Sequence, residues 1–193
     1  MKTLILETST EKSCLVLSEN KRLIDFLSLP GGAQLSQRLA LEVSLLLKKH
    51  SFLPEQIAVG QGPGSFTGIR VGAALAKALA FGWGISLFGF CSLQAFAPVI
   101  EAPFAVVFDA RSNGVYTWMP GKEASLLSIP EALKTLDALP LIASPHPLVI
   151  QKRLPLTSTW IETNPNPFLL AAEVIFTPLK LDYLDLKPSG ALP

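Results

Sequence analysis

A chain of 193 residues is long enough to bury one large core or two smaller ones. Hydrophobic residues make up 49% and charged residues 16%, which excludes a disordered chain and leaves enough apolar surface that part of it is expected under a partner. Sixteen Lys and Arg against fifteen Asp and Glu give a net charge of +1, which excludes a global basic field that holds nucleic acid by counterion release.

The chain opens with three short apolar stretches, residues 3–8, 13–18 and 22–29, separated by the polar turns STEK and ENK, a pattern that predicts a three-strand meander. After Pro30, Gly31 and Gly32, the apolar positions Leu35, Leu39, Val43, Leu46 and Leu47 recur at helical spacing. Residues 56–60 then read as a strand that feeds a glycine-rich turn, and a helix of small residues is expected over 65–81. Residues 78–100 carry no charge and are long enough on paper to span a bilayer. Gly82, Gly84, Ser86, Gly89, Ser92, Gln94 and Pro98 break that run into a helix end, a buried strand and a following element, so no membrane span is expected. A weaker echo of the opening begins at Phe104, where AVVFDA ends in Asp109 much as LILET carries Glu7, and the turn RSNG leads into VYTWM. Helical stretches near 130–136 and 168–176 flank apolar runs at 139–144 and 159–162, and seven prolines make this half irregular.

Two successive βββαβα-like halves predict an α/β, duplicated ribonuclease-H-like fold of the actin/Hsp70-like ATPase superfamily, its second half reduced. The expected division is 1–98, an N-terminal subdomain carrying the glycine-rich segment, and 99–193, a smaller and less regular one. Ligands of such folds bind between the halves near strand carboxyl ends. Glu7, Thr8, Ser9, Ser65, Asp109 and Arg111 are therefore the candidate anion or nucleotide cleft, with Ser65 as the N-cap of a helix whose first-turn amides favour an anion.

The segment GQGPGSFTGIRVG lacks the lysine of a P-loop and the third glycine of a dinucleotide fingerprint. Gly64, Gly68, Gly72, Ala76 and Ala80 instead fall every four residues, a ridge that lets another backbone come close, from the chain's own sheet or from a helix of another subunit. Arg70, at the positive end of the helix, is expected to pair with a carboxylate.

This segment resembles the GPGSFTGLR hallmark of the TsaB (YeaZ) family. LILETSTEKSCLVLS is similar to the family's opening with its DTST element, LSQRL to its HSQRL helix, DARSNGVY to its DAR…VY stretch, and Pro178 with Tyr183 and Leu184 to its P…YL ending. The resemblance implies an accessory subunit, without catalytic residues or a cofactor of its own, that supports formation of N6-threonylcarbamoyladenosine next to the anticodon of tRNA. It implies a heterodimer with the catalytic sister TsaD, a TsaE-type ATPase as third partner, ATP only in the assembled complex and tRNA only through that complex. It leaves a homodimer of the chain alone open, and the sequence does not decide between homodimer and heterodimer. The partner interface it implies comprises Gly64, Phe66, Thr67, Gly68, Ile69, Arg70, Gly72, Ala73, Ala76 and Ala80. Alternative readings are a free-standing ATPase or kinase of the same fold and a homodimeric binding module.

The residues themselves argue against chemistry. A phosphate-gripping hairpin of the DxG[ST] type needs its glycine, and neither Glu7-Thr8-Ser9-Thr10 nor Asp109-Ala110-Arg111-Ser112 has one. No metal site is expected, because His50 and His146 have no ligand neighbours in sequence. PGSFT around Ser65 is not a GxSxG nucleophile elbow. Cys14 and Cys91, without CxxC spacing or a secretory signal, are expected as reduced core thiols of a cytoplasmic protein. Two positions depart from the family pattern: Glu7 replaces an aspartate and Leu35 the histidine before SQRL.

Overall fold

The computed structural model describes residues 1–32, 34–174 and 176–179. The opening meander forms as β1 (Lys2–Glu7), β2 (Lys12–Glu19) and β3 (Arg22–Pro30), followed by α1 (Leu35–Lys49), β4 (Gln56–Gly60), α2 (Phe66–Trp83) and β5 (Ser86–Phe90). A 3-10 turn over Ser92–Phe96 leads to the second series: β6 (Phe104–Asp109), β7 (Val115–Trp118), β8 (Ser125–Leu127), α3 (Ile129–Leu136), β9 (Leu141–Ser144), α4 (Pro147–Gln151) and β10 (Thr159–Glu162). α5 (Pro167–Ala172) and β11 (Thr177–Pro178) close the described chain.

The two series repeat one topology. In the first sheet β3, β2 and β1 run antiparallel to their neighbours while β4 and β5 add in parallel, and β8, β7, β6, β9 and β10 do the same in the second. This is the duplicated ribonuclease-H-like arrangement. The second copy is reduced in its crossovers: α3 and α4 have 8 and 5 residues where α1 and α2 have 15 and 18.

Alternation along the strands builds three cores. Ile5, Cys14, Val16, Ala58, Phe104, Val106 and Phe108 point into a cluster fed by both sheets, the 3-10 turn and α5. Leu4, Leu6, Leu15, Leu17, Ile57 and Val59 point the other way, under α1 and α2. Ala105, Val107 and Ile142 meet α3 and α4. Strands buried on both faces read as continuous apolar runs, which is why LILE and AVVF stand out in sequence.

Three details differ from expectation. The helix expected over 168–176 ends at Ala172, because the chain must reach the first sheet, where Thr177 pairs with Gly89 of β5. The last described strand thus belongs to the first sheet rather than to the second half. β8 and α4 were hidden in the sequence by their shortness and by the prolines around them. No helix among the described residues is long and apolar enough to cross a membrane. Tyr183 and Leu184 lie outside the described residues.

Candidate functional site

The glycine-rich turn begins where β4 runs out of partners at Gly60 and ends at Ser65, whose hydroxyl accepts a hydrogen bond from the Gly68 amide at 3.3 Å and caps α2. The turn after β1 lies across this helix start. The Thr8 hydroxyl donates to the Gly68 carbonyl oxygen at 2.9 Å, and the Ser65 amide donates to the Ser9 carbonyl oxygen at 2.6 Å. Contact is so close that a Cβ on Gly68 would stand 2.1 Å from the Thr8 carbonyl oxygen, and one on Gly72 2.2 Å from Thr8 Oγ1.

This corrects the expectation for the small-residue ridge. Gly68, Ile69, Gly72, Ala73, Ala76 and Ala80 are buried against the chain's own first sheet, so they are not available to another subunit. Gly64 is at the surface, and its missing side chain makes room for Ser9. Phe66, Thr67 and Arg70 remain exposed. Arg70 pairs with no carboxylate among the described residues; its guanidinium lies 3.5 Å from the centroid of the Phe66 ring, a cation–π stack that keeps the charge in water.

Of the candidate cleft residues, Glu7, Thr8 and Ser9 are fully or almost fully buried. One Glu7 oxygen accepts from the Ser9 amide at 2.6 Å, while Oε2, wedged under Gly60, has no hydrogen-bond partner. Burial pushes the Glu7 carboxyl above its ordinary range, against the lowering effect of its bonds to Ser9. Burial, with the Glu7 charge next to it, pushes the Cys14 thiol well up, so that thiol is a core residue rather than a nucleophile. Both cysteines are free.

The second half repeats the turn with a different outcome. Asp109 accepts from the Arg111 amide at 2.9 Å, as Glu7 does from Ser9, but its carboxylate is half-buried and also takes Arg153 Nη1 at 2.6 Å. Arg153 also donates to the Arg111 carbonyl oxygen. The sequence reading missed Arg153 because it lies 44 residues from Asp109. Among the described residues no hydrogen bond joins the Glu7 turn to the Asp109 turn.

The halves meet elsewhere. Lys12 Nζ, at the start of β2, binds Glu162 Oε1 at 2.6 Å and the Thr163 carbonyl oxygen at 3.1 Å, and Glu11 pairs with His146. This set brackets the β1–β2 turn to the carboxyl ends of β9 and β10, and its lysine draws the Glu162 carboxyl below its usual range. On the other side a cleft of about 980 Å³ opens between β4–β5 and the β7–β8 hairpin. Gly64, Phe66 and Ile69 border it, but none of the six candidate cleft residues does. His50 is held 2.6 Å from Asp25, and no cluster of three metal-binding side chains occurs among the described residues. Leu35, the first residue of α1, is buried in the core beneath that helix's inner face.

A family model described as "TsaD: tRNA N6-adenosine threonylcarbamoyltransferase" matches residues 32–186. The chain belongs to the TsaD family, and among its curated matches are proteins named TsaB. It is 41% identical over 70 residues to the tRNA threonylcarbamoyladenosine biosynthesis protein TsaB of Haemophilus influenzae, and 40% identical over 65 residues to TsaB of Bacillus subtilis. Each match covers 32% of this chain but only 28% of the relative. In structure it is similar to YeaZ from Pseudomonas aeruginosa, with a TM-score of 0.68 at 23% identity over 88% of this chain and 89% of the other, a likeness of fold. In this chain the glycine-rich segment is an internal joint, with one edge of α2 facing outward.

Proposed function

We propose that this chain is a non-catalytic scaffold and activator subunit in the formation of N6-threonylcarbamoyladenosine in tRNA, acting by pairing with a TsaD-type catalytic subunit. The relatives' names and the family model support the pathway. The observation that carries the scaffold role is the outer edge of the helix layer over the first sheet. On α2, Phe66 is 64% exposed and Phe81 92% exposed; on α1, Leu41 and Leu45 are more than half exposed. A groove of about 820 Å³ bordered by Leu53 and Trp83 lies between the two helices. Exposed apolar surface of this extent, on the helices that cover one sheet, is what a protein partner covers.

Against a catalytic role stand the two turns. Neither offers the glycine amides that would receive a phosphate, and their acids are engaged, Glu7 in burial and Asp109 with Arg153. A TsaE-type ATPase and tRNA would then be reached through the assembled pair.

The test is Phe81→Glu, at a site so exposed that the isolated chain keeps its fold. Loss of co-purification with the TsaD-type subunit by tenfold or more, together with loss of threonylcarbamoyl transfer to tRNA, is the expected result. Unchanged affinity would overturn the reading, and ATP hydrolysis by the purified chain alone would replace it with that of a free-standing ATPase. A mass measurement showing a stable pair of identical chains that excludes the TsaD-type subunit would favour a homodimeric module.

A further inference from the structure

The helix layer over the first sheet is charged one way, although the chain as a whole is nearly balanced. α1 and α2 together carry the cations Arg38, Lys48, Lys49, Arg70 and Lys77 and a single acid, Glu42. Glu42 is engaged with Arg38 at 2.8 Å, and Lys49 is held by Asp25 of β3 at 2.8 Å. Arg70 and Lys48, both exposed, pair with no carboxylate among the described residues. Glu55, which follows Pro54 of the groove, is taken by the amino terminus and the Lys2 amide. Neither helix has an acid in its first turn, where one would offset the positive end of its dipole.

The two open cations stand at opposite ends of α2. Arg70 lies over the Phe66 ring near the start of that helix, a stack that fixes the guanidinium without neutralising it. Lys48 borders the groove together with Leu79 and Trp83, at the other end. Trp83 is thirteen residues beyond Arg70, about 20 Å along the helix. Leu41, Leu45 and Phe81 add exposed apolar surface on the same two helices.

We infer that this face selects a protein partner whose docking surface is apolar with carboxylates about 20 Å apart, one for Arg70 and one for Lys48, and disfavours a second copy of this chain. This chemistry rests on the pairing reading and adds to it what the partner carries. Two copies meeting here would set one cationic layer against another, which slows the encounter and weakens the pair. An acidic partner gains on both counts. The rings and leucines then hold the pair together, while the charges choose who joins it.

Affinity of the full chain for the TsaD-type subunit, measured by calorimetry between about 50 mM and about 500 mM salt, tests this selection. Pairing is expected to weaken about tenfold over that range. Arg70→Glu combined with Lys48→Glu is expected to weaken it about a hundredfold at low salt and to abolish or reverse the salt dependence. Lys134→Glu, the same change of charge at an exposed site on α3, is expected to stay within about threefold of the unaltered chain. Melting curves check that each variant keeps its fold. Sedimentation of the chain alone is expected to show monomers at low salt, with any self-association growing as salt rises. Pairing that ignores both salt and the double reversal, while Phe81→Glu still abolishes it, would overturn the charge selection and leave the pairing reading standing. Pairing untouched by Phe81→Glu would remove both. An equal loss in Lys134→Glu would also overturn the selection, since net charge rather than this face would then be responsible. So would a dimer of identical chains that is tight at low salt and dissociates as salt rises.

Discussion

The turns after β1 and β6 start from the same design and end in opposite environments. Each places an acid at the last position of its strand, and each acid accepts from the amide two residues on. Glu7 is then sealed under Gly60 with one oxygen unpartnered, while Asp109 stays near water with Arg153 across from it. The crossover behind each turn differs as well. α2 is long and studded with glycine, so the first turn can sink into it; α4 is a single short helix, and the second turn is left to an arginine. Duplicated topology does not duplicate a site, because the residues packed around each acid differ: Gly60 closes over Glu7, and Arg153 stands beside Asp109.

The strongest way to break this comparison is at the glycine joint. Gly68→Trp forces a side chain into the Thr8 backbone, so it is expected to cost about 3 kcal/mol or more and to abolish cooperative urea unfolding. A variant that folds normally and loses only its partner would show that the ridge faces outward after all.

A subtler probe is pH. Because the folded-state Glu7 carboxyl is raised above its ordinary value of 4.5 by burial, folding favours its protonated form. Its contribution is therefore most favourable below pH 4.5 and declines as pH rises from there through the raised value, after which the penalty is constant. Glu7→Gln should flatten this decline in a series of denaturant melts. If both proteins keep the same slope above pH 4.5, the acid is not carrying a burial penalty.

The smallest effect is expected in the second turn. Asp109→Ala removes an ion pair that is about a third exposed on each side, so it should cost only about 1 kcal/mol, measured by the same melts. A loss matching that of Gly68→Trp would mean that the two turns are equally structural.

Much of the fold was legible beforehand. Strands buried on both faces cannot avoid continuous apolar runs, and α1 shows its stripe because only one side of it is buried. The site was read less well. Glycines every four residues announce a close approach without saying to what, and here the answer was Thr8, some sixty residues away. Lys12 with Glu162, Glu11 with His146 and Asp109 with Arg153 carry no local signal, since each pair is far apart in the chain.

By itself, then, the sequence determined the repeated strand order, the helix that follows Ser65 and the lack of phosphate-gripping glycines, because these depend on local periodicity and residue type. Only the tertiary structure decided which face of that helix is spent on the chain's own turn, which side of the molecule is bracketed by ion pairs and which is left open as a cleft. Those outcomes depend on how two sheets, each satisfied within itself, settle against one another, and contacts between distant segments leave no mark on the order of residues along either one.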